Sequence, residues 1–164
     1  MVSNELIIDA FERIKEVVHQ ATEGLNIDEL AYRPTHMANS IAWLVWHLSR
    51  IQDDHIADLT GKKQVWTSGW FDKFGLPFKE GATGYGQTSD EVAAVRVSAE
   101  LLLDYYDAVH DTTIDFIKTL KDKDYKKVVD ERWTPPVTLA VRLISVITDD
   151  LQHAGQAAYI RGLI

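Results

Sequence analysis

Cysteine is absent from the 164 residues. The chain therefore has no disulfide, no thiolate-ligated metal and no thiol nucleophile of its own, and any thiol chemistry must use a thiol brought in by a small molecule. Proline is scarce at 4 residues while hydrophobic residues reach 46%, a balance that belongs to a packed globular domain. Basic residues are outnumbered, 17 against 25 acidic, for a formal net charge of -8. That charge argues against nucleic acid or an anionic membrane as partner, since each requires a basic face. No apolar run approaches the roughly 20 residues that cross a bilayer. Met1-Val2-Ser3-Asn4-Glu5 has no basic stretch ahead of its apolar residues, so no signal peptide is expected and the cytoplasm is the expected location. The length suits one domain, residues 1–164.

What is present is helical periodicity. Leu6, Ala10, Phe11, Ile14, Val17, Val18 and Ala21 form a stripe of period 3.6 that opens at Ser3 or Asn4 and stops at Gly24. Residues 25–30 read as a one-turn connector. Asn39 or Ser40 caps a second helix, from Ile41 to about Leu59, which ends before Gly61. A third helical region opens at Thr88 or Ser89 and runs to Leu120, with a break or recapping point at Ser98-Ala99-Glu100. Residues 121–131 are charged and read as a solvated turn, and Thr138 caps a last helix that ends at Arg161-Gly162. No strand is expected, so the fold class is all-α, a bundle of four helices. Residues 60–88 are too long for an ordinary loop and too aromatic to wave in water. They carry Trp66, Trp70, Phe71, Phe74, Phe78 and Tyr85, and are expected to be a packed crossover between helices two and three that can also wall a pocket.

The chemistry concentrates in two of these helices. Asp149 and His153 lie four residues apart in an apolar helix, hence on one face. A carboxylate and an imidazole aimed into a core are costly unless something satisfies them. His47 sits mid-helix in Trp43-Leu44-Val45-Trp46-His47-Leu48, equally apolar. Facing helices of a bundle build metal sites from such residues, and two nitrogens, one oxygen and an open position suit a catalytic divalent ion. The bland alternative is a hydrogen-bonded Asp149–His153 pair, with His47 a core histidine satisfied by a backbone carbonyl. Asp54 and His55 follow His47 by seven and eight residues and are candidates for a further ligand, an orienting group or a general base, beside the plainer reading of solvated polar residues near the helix end. His19, His36 and His110 read as boundary, loop and polar-face residues.

Asn39-Ser40-Ile41-Ala42-Trp43-Leu44-Val45-Trp46-His47-Leu48-Ser49-Arg50, Asp149-x3-His153-Ala154-Gly155-Gln156 and Tyr159-Ile160-Arg161-Gly162 together resemble the DinB/YfiT-like superfamily. The branch most similar contains mycothiol-dependent transferases and the N-terminal domain of mycothiol-dependent maleylpyruvate isomerase. The resemblance spans nearly the whole chain and implies a four-helix bundle in up-down-down-up order. It implies a divalent metal, Zn²⁺ first and Ni²⁺ second, held by His47, Asp149 and His153. Position 149 is usually histidine in the superfamily and glutamate in the isomerase branch, so Asp149 departs from both. An anionic ligand there leaves the metal less electrophilic than three imidazoles would.

The function so implied is a metal-dependent S-transferase that uses a low-molecular-weight thiol, mycothiol or bacillithiol by analogy, against an electrophilic small molecule. Arg50, Asp54 and the aromatic segment around Trp70 are the candidates for holding the polar part of the thiol. Two other readings stand beside it: a metal-dependent hydrolase using metal-bound hydroxide, with Asp54 or His55 as general base, and a non-catalytic metal-binding or stress-response protein. By the same resemblance the chain is expected to form a homodimer.

Overall fold

The computed structural model describes residues 3–164. In chain order the helices are α1 (Ser3–Thr22), α2 (Ile27–Leu30), α3 (Ile41–Thr60), α4 (Trp70–Phe74), α5 (Ser89–Ala93), α6 (Ala99–Thr119) and α7 (Leu139–Arg161). The four long ones, α1, α3, α6 and α7, carry the architecture.

Side-chain chemistry sets where each begins. Ser40 Oγ accepts the Trp43 amide at 3.1 Å to open α3, and Ser98 Oγ accepts that of Leu101 at 3.2 Å to open α6. Thr138 caps α7 in the same way. The recapping point at Ser98 is therefore a true break, which splits the third helical region into α5 and α6. The connector at residues 25–30 is the single-turn α2, held by a reciprocal cap between Asn26 and Glu29.

Packing follows the apolar faces. α1 buries Phe11, Ile14, Val18 and Ala21, one stripe of an amphipathic helix. α3 is different, because every residue from Ile41 to Arg50 is buried. A helix that is apolar all round belongs in the middle, and α3 packs against both α6 and α7, while α1 packs against α6 and α7 from the other side. Cross-helix contacts fix the directions. Arg50 meets Tyr105 and Gln52 meets Thr113, so α3 and α6 run the same way. Asn4 reaches Ile117 and His19 reaches Asp107, so α1 and α6 oppose each other. Leu44 shares a groove with Ile160 while the charge of Arg142 bears on His55, so α3 and α7 also oppose each other.

Residues 61–88 hold a turn of 3-10 helix at Val65–Thr67 and the short α4. Buried Trp66 anchors them, its ring 5.0 Å from Phe74 and 5.1 Å from Tyr105, with its indole N–H donated to the Glu80 carbonyl at 2.9 Å. Tyr85 is the exception to the packed-aromatic expectation, at 92% exposed.

Two further expectations are corrected. A short antiparallel hairpin joins β1 (Val128–Asp130) to β2 (Val137–Thr138) where no strand was foreseen. Its β-branched runs are too short to show a period. His110, read as lying on a polar face, is 2% exposed, and its Nε2 stands 3.3 Å from the Glu12 carboxylate of α1. The acidic residues around it in sequence concealed that it lies on the face α6 turns to α1.

Candidate metal centre

α3 and α7 bring His47, Asp149 and His153 together. One potential ligand atom from each lies within 4.8 Å of the others, and among the described residues this is the trio of histidine and acidic groups with that geometry. Each side chain is aimed by a neighbour. The His47 ring lies flat against Trp43, centroids 4.5 Å apart and planes 15° off parallel. Its Nδ1 stands 2.5 Å from the Thr83 carbonyl. A carbonyl only accepts, so Nδ1 carries the proton and Nε2 keeps its lone pair. The His153 Nδ1 is likewise 3.0 Å from Gln156 Oε1, an acceptor, which frees its Nε2. That Nε2 faces Asp149 Oδ1 at 3.7 Å, and the two imidazole centroids are 4.8 Å apart.

These are the tautomers a metal-binding pair needs, each set by a hydrogen bond behind the ring. Ligands about 2.1 Å from a shared ion stand about 3.4 Å apart in a tetrahedral arrangement. The Asp149–His153 separation of 3.7 Å is already close to that. Asp149 Oδ2 adds a second observation: it is buried and has no hydrogen-bond partner among the described residues. The donor set of two nitrogens and one carboxylate oxygen fits a divalent ion of the zinc or nickel kind.

Electrostatics agree. Burial lowers the His47 pKa below its usual value and the nearby His153 lowers it further, with the Thr83 hydrogen bond and the Asp149 charge opposing. His47 is thus neutral at pH 7, the form in which an imidazole binds metal. One wall of the site is closed by Trp43 and by the Thr83-Gly84 turn. The other is open, where the Asp149 side chain is 37% exposed and that of His153 18%.

The structure separates the other candidate residues. His55 is half-buried on the side of α3 that faces α7; burial lowers its pKa, the Arg142 charge adds to this, and Asp54, Asp149 and Asp58 oppose. Its ring nitrogens have no hydrogen-bond partner among the described residues. Asp54 turns instead toward the segment after α3, where it accepts a hydrogen bond from Gln64 Nε2 at 2.7 Å. Arg50 is fully buried. Its guanidinium donates to the Ala82 carbonyl at 3.1 Å and to Gln64 at 2.8 Å, and lies over the Trp66 ring. Trp70 packs on Tyr105 at 5.5 Å, and the Lys73 ammonium lies over its ring at 4.3 Å. Among the described residues neither Arg50 nor Trp70 makes a hydrogen bond, ion pair or ring contact with the trio.

Sequence reasoning passed over three groups. Asp53 is buried and accepts the amides of Val65 and Trp66, both at 2.8 Å, and the Tyr105 hydroxyl at 2.9 Å, so it pins the crossover to α3. Thr83 and Gly84, which back His47, lie in a stretch with no motif of its own. The one signal was the density of glycine between residues 81 and 86.

A family model described as mycothiol-S-transferase matches residues 6–164. The chain belongs to the mycothiol-S-transferase family. A crystal structure of a conserved protein from Enterococcus faecalis is similar to it throughout, with 32% identity and a TM-score of 0.93 over 100% of this chain and 98% of that one. Among curated proteins no match was found. Membership of the mycothiol-S-transferase family agrees with the DinB-type motif blocks and gives a thiol cosubstrate a chemical setting. No helix among the described residues is long and apolar enough to cross a membrane.

Proposed function

We propose that this chain is a metal-dependent S-transferase that joins a low-molecular-weight thiol to an electrophilic small molecule. The observation that carries the reading is the convergence of His47, Asp149 and His153, each oriented from behind and open on one side. A divalent ion held by these three would lower the pKa of an incoming thiol and favour its thiolate at neutral pH.

The chain's own residues supply the rest. His55, neutral and without a hydrogen-bond partner among the described residues, is the base that accepts the thiol proton on the open side. The thiolate sulfur then forms a bond to the electrophilic carbon, and the leaving group departs with the bonding electrons. Asp54 supports this wall through Gln64, and Arg50 acts by holding the Ala82 carbonyl next to the Thr83 that orients His47. Trp70, within the crossover, packs it onto Tyr105 of α6. We read the four long helices as an up-down-down-up four-helix bundle, in which the 61–88 crossover lets α3 and α6 run parallel. We also infer a homodimer, supported by the exposed, uncharged Val141, Ile144, Leu151 and Tyr159 along α7.

The test is turnover of a haloaromatic electrophile by zinc-loaded protein with an added thiol. Wild type conjugates the thiol and His47→Ala does not. Equal rates for the two would remove the proposal, and turnover without any thiol would point to hydrolysis.

A further inference from the structure

Arg142 lies seven residues before Asp149 on α7, two turns along the same face. Its side chain is 16% exposed, and its charge reaches His55 across the α3–α7 groove, as does that of Asp149. His55 thus feels both Arg142 and Asp149, with Asp54 and Asp58 acting on it as well. One N–H of Arg142 is accounted for: Nη2 donates to Asp130 Oδ2 at 2.9 Å. Among the described residues Nε and Nη1 donate to no protein acceptor, and neither is sealed from solvent.

The Asp130 contact leaves the other donors of Arg142 unused. Asp130 is already held bidentately by Arg132, Nε to Oδ1 at 2.9 Å and Nη2 to Oδ2 at 2.8 Å, with the Arg132 amide donating to Oδ1 as well. Asp130 thus takes two guanidiniums, and only Nη2 of Arg142 is engaged by it. Arginine with two free donors in a fixed plane recognises a carboxylate in bidentate fashion.

We propose that Arg142 is a specificity residue that receives a carboxylate carried by one of the two substrates. The proposal rests on the thiol-transfer reading for what the carrier is, but its test does not depend on turnover. The carrier can be the thiol or the electrophile, so binding is measured for both. Calorimetry on zinc-loaded protein compares 3-mercaptopropionate with 2-mercaptoethanol, and 4-chloro-3-nitrobenzoate with 1-chloro-2,4-dinitrobenzene.

In one of the two pairs, wild type binds the carboxylate at least about tenfold more tightly than its neutral partner, the usual worth of a hydrogen bond to a charged group. Arg142→Gln abolishes that preference and leaves the neutral compound's affinity unchanged, while Arg142→Lys retains part of it. Asp130→Asn, which unties the hairpin but keeps the guanidinium, preserves the preference. A wild type indifferent to the carboxylate in both pairs would overturn the proposal. So would equal losses for both members of a pair in Arg142→Gln, or loss of the preference in Asp130→Asn, since each marks Arg142 as a strut for the hairpin. A protein that binds as described but transfers nothing would refute the transferase reading alone.

Discussion

A Cβ on Gly84 would stand 2.7 Å from Nδ1 of His47 and about as close to two tryptophan rings, Trp43 at 3.0 Å and Trp46 at 3.1 Å. The backbone there has a φ of +97°, a region side chains rarely adopt. Glycine is needed at this point for both reasons, and the turn it permits brings the Thr83 carbonyl onto the imidazole. Gly84→Ala therefore moves either the turn or His47. We expect at least about a tenfold loss of metal affinity, in the range found when a group orienting a metal ligand is lost. The strained backbone adds about 1–3 kcal/mol of destabilisation. Competition with a chromogenic chelator and thermal unfolding of the apoprotein separate the two effects.

Of the three proposed ligands Asp149 has the shortest side chain. Asp149→Asn keeps the shape and removes the charge. It should weaken metal retention by more than about tenfold while leaving the apoprotein folded, because the side chain is more than a third exposed. Metal content after dialysis measures the first part and circular dichroism the second. Full retention would place Asp149 outside the ligand set.

Gln156 is exposed yet sits behind His153, 3.0 Å from Nδ1. Gln156→Leu removes the acceptor that fixes the tautomer. Metal affinity is expected to fall by about 10-fold with stability unchanged, as for other groups that orient a metal-bound imidazole. Gln156→Glu, which keeps an acceptor, should hold the affinity near wild type.

His19 supplies a pH signature away from the site. Partial burial lowers its pKa, but hydrogen bonds to Asp107 and Glu23, both at 2.9 Å, outweigh this and raise it above the usual histidine value. The folded protein thus binds the proton more tightly than the unfolded chain, whose histidine titrates at about 6.5. The stabilisation is complete below that pH and is lost as pH rises through the higher folded value. Urea unfolding should show His19→Gln less stable than wild type by about 0.5–1 kcal/mol at pH 5.5, with the gap narrowing by pH 9.

Much of this was legible in sequence because it rests on period and caps. The stripe from Phe11 to Ala21, the serine before α3 and the threonine before α7 each speak through neighbouring residues. Leu6, expected on that stripe, is instead 56% exposed, because it lies in the first turns of α1, off its buried face. The Asp149–His153 pair was legible for the same reason, since four residues is one turn. His47 was a candidate as a histidine mid-helix in an apolar run, and resemblance strengthened its pairing with them, as spacing alone says nothing about which helices face each other. Asp54 and His55 mark the limit. Both stand near the same meridian as His47, yet a rotation of 100° sends one to Gln64 and the other toward Arg142. Asp150 makes the same point beside Asp149. It is fully buried, neither carboxylate oxygen has a partner among the described residues, and burial, together with the Asp149 charge, pushes its pKa well above the usual carboxylate range. Thr83 and Arg142 were invisible because their roles come from a loop and a hairpin that bring distant segments together.

In the proposed reaction His47, Asp149 and His153 hold an ion that meets the sulfur of an incoming thiol. Cobalt(II) reports this directly, because sulfur ligation gives a charge-transfer band in the near ultraviolet. Protein loaded with one equivalent of cobalt should show no such band alone, since it contains no cysteine. The band should appear on addition of thiol and be absent from His47→Ala. A loaded wild-type protein whose spectrum is unchanged by saturating thiol would contradict the account.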